Sequence, residues 1–513
     1  MGFTIIDYIV IIVYLIGVAA LGIYAAGRQS STSDYFMGGR GLPWWAVMFS
    51  VVATETSTLT FISIPAVAYG GNLTFIQITL GYIVGRFLVS VLLLPAYFEG
   101  KQTTAYQFLA NRFGPSMRNA ASTTFMVTRL LADGVRLFAT AIPLAIILRL
   151  GGAFTGWGDI ELYLLSITAI SVITLIYTLI GGIKAVVWMD VMQMAVYIGG
   201  ALLAIGIMFG DLPNGISGAI AIAADAGKTQ ILDFGFGQPF TEFIAQPYTF
   251  FTALIGGAIF SIASHGTDQL IVQRLLTTRN VKDSQRALVW SGVVVALQFG
   301  LFLFIGLLLY AFYDAQTAQQ LGLATTDEIF AKFIVEQLPV GLSGLIIASL
   351  FAAAMSSLSS SLNSLASSTT LDLYKPYLGQ DNTPEEDLRI SRIITMVWAF
   401  ILTGSAFFFA YLQLQEGERP AVVELGLGIA SYTYGGLLGA FMLGRLFSSP
   451  DKTDAMIGFF VGLVSLLFMV EGPIQNILPG EPLAIAWPLY TVVGSLIVIA
   501  VGNISRWIRK ISK

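Results

Sequence analysis

The chain contains no cysteine and one histidine, His265, among 513 residues. Disulfides, thiolate nucleophiles and cysteine metal sites are therefore excluded, and a histidine-based metal cluster is too. Charge is also scarce. Asp, Glu, Lys and Arg make up 11% of the residues, and the net charge of −4 points to no nucleic-acid partner. Apolar residues fill the chain instead, at 56%, with a mean hydropathy of +0.79. That balance predicts an all-α polytopic membrane protein whose main partner is the lipid bilayer. The N-terminus lacks a basic n-region and opens an apolar run of more than 20 residues. It predicts a spanning helix rather than a cleaved signal.

Apolar runs predict about 13 transmembrane helices, over 3–26, 44–71, 74–98, 119–149, 159–181, 185–210, 247–275, 284–313, 340–372, 388–412, 421–446, 453–472 and 483–506. With the N-terminus outside, 19 Lys and Arg residues fall in cytoplasmic segments and 4 in outer loops. Arg86, Arg129 and Arg136 lie inside spans. This bias predicts a cytoplasmic C-terminus and a multi-pass protein of the cell (plasma or inner) membrane. The longest connections, 211–247 and 314–341, are outer loops, and no soluble domain is expected.

Polarity inside the spans marks the candidate site. The second span carries Thr54, Glu55, Thr56, Ser57, Thr58 and Thr60 at mid-depth, then Pro65. Proline cannot donate a helix hydrogen bond, and the polar run can satisfy an opened backbone. A break at the midplane is expected, and an isolated carboxylate there is expensive enough to imply function. In the fourth span Asp133 is four residues from Arg129 and three from Arg136. Pairing on one helix face then leaves one positive charge over. Arg86 is expected to snorkel to the inner interface. In the seventh span Gly266 follows His265, which favours a second break.

The stretch Phe351 to Tyr374 is the most unusual. Eight of the thirteen residues from Ser356 to Ser368 are serine. Ala353, Ser356, Ser357 and Ser360 share one helix face, with Ser359 beside it. Hydroxyls on such a face serve either close helix packing, bonded back to the preceding turn, or the coordination of an alkali cation.

Six segments together resemble the sodium:solute symporter family: DYFMGGR (34–40), ATETSTLTF (53–61), TAYQFLANRFG (104–114), YTLIGGIKAVVWMDVMQ (177–193), GTDQLIVQR (266–274) and the serine-rich helix. They are similar to both its sugar and its sialic acid branches. The resemblance implies a LeuT-like fold, with an inverted repeat of two five-helix halves that each begin with a broken helix. Residues 1–513 would form a single transporter domain. Helix 3–26 leads, 44–210 and 247–446 are the repeats, and 453–506 holds two C-terminal helices. The resemblance also implies Na⁺ as coupling ion, held by Ala53, Thr56, Ala353, Ser356 and Ser357. A second Na⁺ site would use Asp190 with Ser356, Ser359 and Ser360, although Met189 stands where many members have threonine.

The solute pocket implied by the resemblance lies between the broken helices and the third and fourth spans. Glu55, Ser57, Thr60, Phe75, Gln77, Thr79, Arg136 and His265 are its candidate residues. Ala132 stands where the sialic acid branch places a carboxylate-binding arginine, with Arg136 one turn on. Glu55 suits sugar hydroxyls, an amine or a pairing with Arg136. The expected function is Na⁺-coupled symport of a sugar, polyol or sugar acid by a working monomer. Uptake of an amino acid or small carboxylate is the alternative, and a sodium channel or sensor on the same fold comes after it. One histidine, no cysteine and no paired membrane aspartates leave little chemistry for an enzyme.

Overall fold

The computed structural model describes residues 4–27, 29–150, 154, 156–323, 325–415, 422–469 and 485–512. Arg28, Arg419 and Lys513 of the charge count lie outside the described residues. So do the outermost positions of the spans beginning at 3, 421 and 483 and of the span ending at 472.

The principal helices are α1 (Ile5–Ala26), α2 (Trp44–Glu55), α3 (Thr58–Gly70), α4 (Gln77–Leu92), α5 (Pro115–Leu150), α6 (Asp159–Asp211) and α7 (Phe250–Gly266). They continue as α8 (Gln269–Leu275), α9 (Val281–Phe312), α10 (Leu342–Ser368), α11 (Pro384–Gln415), α12 (Val422–Leu446), α13 (Lys452–Met469) and α14 (Trp487–Ile511). Extended pairing among the described residues is limited to one bridge, Leu42 with Thr278. Each expected span contains helix. Among the described residues seven helices are long and apolar enough to cross a membrane, or nine when each bent pair counts as one span.

The expected fifth and sixth spans are fused in α6 but part at Gly182, where φ is 54° and ψ is −155°. A side chain would be strained there, and its Cβ would sit 2.5 Å from the Tyr35 carbonyl oxygen.

Burial orders the helices. The most apolar stretch of the span containing α10 is 89% buried, against 22% for α1. Helix α1 turns Ile5, Ile9, Ile12, Val13 and Ile16 outward, as a lipid-facing helix does. Every residue from Ala352 to Ser368 is buried, with α6, α1 and α5 packed against α10. Asp7 fixes α1 to the start of α10. One of its oxygens caps Thr4 at 2.9 Å, and the other accepts the Gly341 and Gly344 amides at 2.7 and 3.0 Å.

Candidate solute and cation site

Two helix breaks frame the site. Helices α2 and α3 meet at 62°, and α7 and α8 at 66°. The first break lies at Thr56 and Ser57, both in extended geometry. The polar run makes it, not Pro65, which sits inside α3. Ending α2 there turns its last carbonyls, at the negative end of the helix dipole, toward α10. The second break falls where expected, after Gly266. A Cβ on that glycine would lie 2.7 Å from Leu93 and 2.9 Å from Val89. Asp268 then caps α8 by accepting the Leu270 amide at 2.8 Å.

Between the breaks lies a cavity of about 150 Å³. Six of the eight expected solute residues line it: Glu55, Ser57, Thr60, Phe75, Arg136 and His265. Gln77 and Thr79 do not. Gln77 braces the outer segments, donating to the Tyr248 carbonyl at 2.7 Å and accepting the Asp233 amide at 3.2 Å. The Thr79 hydroxyl donates to the Ile76 carbonyl at 2.7 Å. Aromatic residues not foreseen from the sequence complete the wall: Tyr82, Phe260, Phe299, Tyr434 and Trp487. Phe260 is their hub, with ring centroids 5.5 Å from Tyr434 and 5.4 Å from Trp487. Tyr82 lies two turns beyond Phe75, so helical spacing was the available signal.

Charges in the wall are mostly compensated. Arg86 does not snorkel. It is fully buried, pairs with Glu55 and donates to Ser291 at 2.7 Å. Both partners sit at mid-depth on adjacent spans, where the desolvation cost of each favours pairing over reaching for water. His265 shares a 2.8 Å hydrogen bond with Ser264 through Nδ1, and its Nε2 lies 3.6 Å from Glu55. Arg129 meets Asp133 at 3.3 Å, as the spacing predicts, and also bonds Asp268 and Tyr434. Asp133 in turn accepts the Ser361 hydroxyl at 2.6 Å. Arg136 is the exception. Its carbonyl accepts the Thr140 hydroxyl at 2.9 Å, but its guanidinium borders the cavity without a hydrogen bond or ion pair among the described residues.

A small cavity of about 10 Å³ is lined by Ala53, Thr56, Ala353 and Ser356, with Gln193, Met194 and Tyr197. It brings together four of the five expected first-sodium residues, at the α2 break against α10. Ser357 faces a different small cavity beside Asp133 and Arg136, and its Oγ has no hydrogen-bond partner among the described residues. Asp190, from α6, accepts the Ser356 hydroxyl at 2.6 Å and lies 3.5 Å from Arg274. Ser359 and Ser360 both donate back to the Ser356 carbonyl, at 3.1 and 2.6 Å.

Residues 35–416 match the sodium:solute symporter family. The chain belongs to this family. It is 30% identical over 510 residues to the sodium/sialic acid symporter SiaT of Proteus mirabilis (strain HI4320), covering 98% of this chain and 95% of that relative. A substrate-bound, outward-open structure of a Na⁺-coupled sialic acid symporter matches with a TM-score of 0.83 and 29% identity, over 99% of this chain and 98% of that one. The nucleobase-cation-symport-1 family transporter MHP1 shares the fold at a TM-score of 0.51 and 13% identity. Membership makes the chain a multi-pass membrane transporter with the LeuT-like fold. It moves a small solute coupled to sodium ions.

Proposed function

We propose that this symporter takes up a small polyhydroxylated anion, a sugar acid, with Arg136 binding the carboxylate. The single observation behind this reading is the Arg136 guanidinium, without a partner among the described residues, beside a cavity whose other charges are paired. An unpaired guanidinium in a poorly solvated wall favours a planar anion that it can hold with two hydrogen bonds. The N-terminal end of α3 adds partial positive charge at Ser57. Glu55, its charge met by Arg86, is left as an acceptor for hydroxyls. The Phe260 cluster offers apolar faces to a sugar ring. SiaT and the matched outward-open symporter carry sialic acid, itself a sugar acid.

In this reading the first sodium sits among the Ala53, Thr56 and Ala353 carbonyls and the Ser356 hydroxyl, and the Ser357 hydroxyl expected from the resemblance lies on the Arg136 side instead. Sodium there holds the end of α2 against the middle of α10 and completes the cavity. The halves 44–210 and 247–446 then rock to expose both cargoes to the cytoplasm, because each ligand shifts the equilibrium by its differential affinity. The chain crosses the membrane thirteen times, starts outside and works as a monomer.

The experiment is thermal unfolding of the purified protein against sugars, polyols, sugar acids, amino acids and monocarboxylates, each in sodium and in potassium. A ligand of the native state raises stability as RT ln(1 + [L]/Kd). Sugar acids are expected to stabilise in sodium only. Stabilisation by neutral sugars alone would remove the role given to Arg136.

A further inference from the structure

A groove of about 630 Å³, separate from the solute cavity, lies where the end of α1, the Gly182 bend of α6 and the first turns of α11 meet. Gln29, Leu179, Arg389, Arg392, Ile393 and Met396 line it. On α11 the last four fall at i, i+3, i+4 and i+7, so one helix face carries two cations and then apolar side chains. That face stays open. Ile393 and Met396 are exposed, as are Val397 and Phe400 further along α11 and Ile176 and Ile180 on α6. Neither guanidinium has a hydrogen bond or ion pair among the described residues. Arg392 Nε is buried without a partner, and so are both amide atoms of Gln29. Buried polar atoms are ordinarily satisfied, so these three point to a ligand. Among the described residues, Glu385 is the one carboxylate in the wall. Nearby Asp34 already accepts the Ser30 and Ser31 hydroxyls, at 2.9 and 3.1 Å. Two arginines against one glutamate leave the wall net positive.

We propose that this groove binds the headgroup of an anionic phospholipid, with Arg389 and Arg392 on the phosphodiester and Gln29 on headgroup hydroxyls. A phosphodiester supplies the acceptors that two unpaired guanidinium forks lack. Gln29 offers a donor and an acceptor, which suits a hydroxylated headgroup such as glycerol. The acyl chains then run along Ile393, Met396, Val397 and Phe400, continuous with the exposed side of α11. A basic pocket between spanning helices is the usual form of such a site. A free phosphate would use the cations but leave the apolar half of the face uncovered. Arginines that only snorkel keep their heads in water, whereas Arg392 Nε is buried. The lipid would also bridge segments 44–210 and 247–446. Tyr35 already links them behind the groove, its hydroxyl lying 3.3 Å from the Thr178 carbonyl on α6 and 3.2 Å from Thr395 Oγ1 on α11.

Native mass spectrometry of the full-length protein in detergent, with phosphatidylglycerol or phosphatidylcholine added at equal concentration, tests this whatever the solute is. Phosphatidylglycerol is expected to stay bound and phosphatidylcholine to be lost. The double substitution Arg389→Gln, Arg392→Gln is expected to weaken phosphatidylglycerol binding by about tenfold or more. Thermal unfolding gives a second reading. Phosphatidylglycerol should raise the midpoint of the wild type and not that of the double variant, while the two unfold alike without lipid. Equal retention of both lipids, or undiminished phosphatidylglycerol binding in the double variant, would overturn the proposal. Glycerol phosphate raising the midpoint as far as phosphatidylglycerol does would assign the groove to a soluble phosphate and overturn the lipid. Should the double variant fail to fold, the wild-type preference between the two lipids still decides.

Discussion

Arg136 and Arg86 are both intramembrane arginines, yet their surroundings give them opposite roles. The Arg136 guanidinium meets no hydrogen-bond or ion-pair partner among the described residues, so its replacement should cost binding and little else. Arg136→Gln is expected to weaken solute affinity by about ten- to a hundredfold, as loss of a charge-assisted contact does at about 1.5–3 kcal/mol. The solute-induced shift in thermal unfolding reads this, with the ligand-free unfolding temperature nearly unchanged. Arg86 is a structural cation. Arg86→Met strands Glu55 in the wall and is expected to destabilise the protein by about 3–5 kcal/mol. The double substitution Glu55→Gln, Arg86→Met should recover much of that loss in the same assay. A double no more stable than Arg86→Met alone would contradict the pairing. The sequence announced Glu55 as costly but not its partner. Span reading gives depth and helix face, whereas pairing depends on how neighbouring helices are rotated. The Arg129–Asp133 pair was legible because both residues share one helix face.

Helix breaks were legible wherever composition made them. The polar run at 54–58 and the glycine at 266 each disfavour continuous helix, and both breaks occur there. Pro65 was the misleading signal, since a proline that lacks one hydrogen bond can still be carried inside a well-packed helix. Gly182 was legible only as part of a boundary between spans, and its need for a positive φ emerges with the fold. Gly182→Ala is expected to cost about 1–3 kcal/mol from strain at that φ, with a further loss from the clash with Tyr35. Thermal unfolding of the solute-free protein measures it, and an unchanged midpoint would show that α6 relaxes there. The serine face of α10 could be read from sequence as polar, but not divided. Ser356 faces the α2 break and Ser357 the Arg136 side. That split follows from a step of about 100° per residue once α6 and α5 flank the helix.

At the scale of the molecule, stoichiometry and solute charge together set the driving force. One sodium ion moving with a monovalent anion is electroneutral, so the membrane potential contributes nothing. A tenfold sodium gradient then sustains about tenfold solute accumulation. A second ion would add the potential, about 2.3 kcal/mol per 100 mV. An inside-negative potential clamped across proteoliposomes separates the two cases, since an unchanged initial uptake rate of a sugar acid indicates one ion. Acceleration by that potential would indicate net positive charge movement and a second ion. The most direct test of the whole account is uptake of labelled sugar acids into proteoliposomes under an inward sodium gradient, compared with an equal potassium gradient. The account predicts accumulation above the outside concentration in sodium alone, abolished when the gradient is dissipated. Equal uptake in both salts, or sodium entry with no solute following, would contradict it.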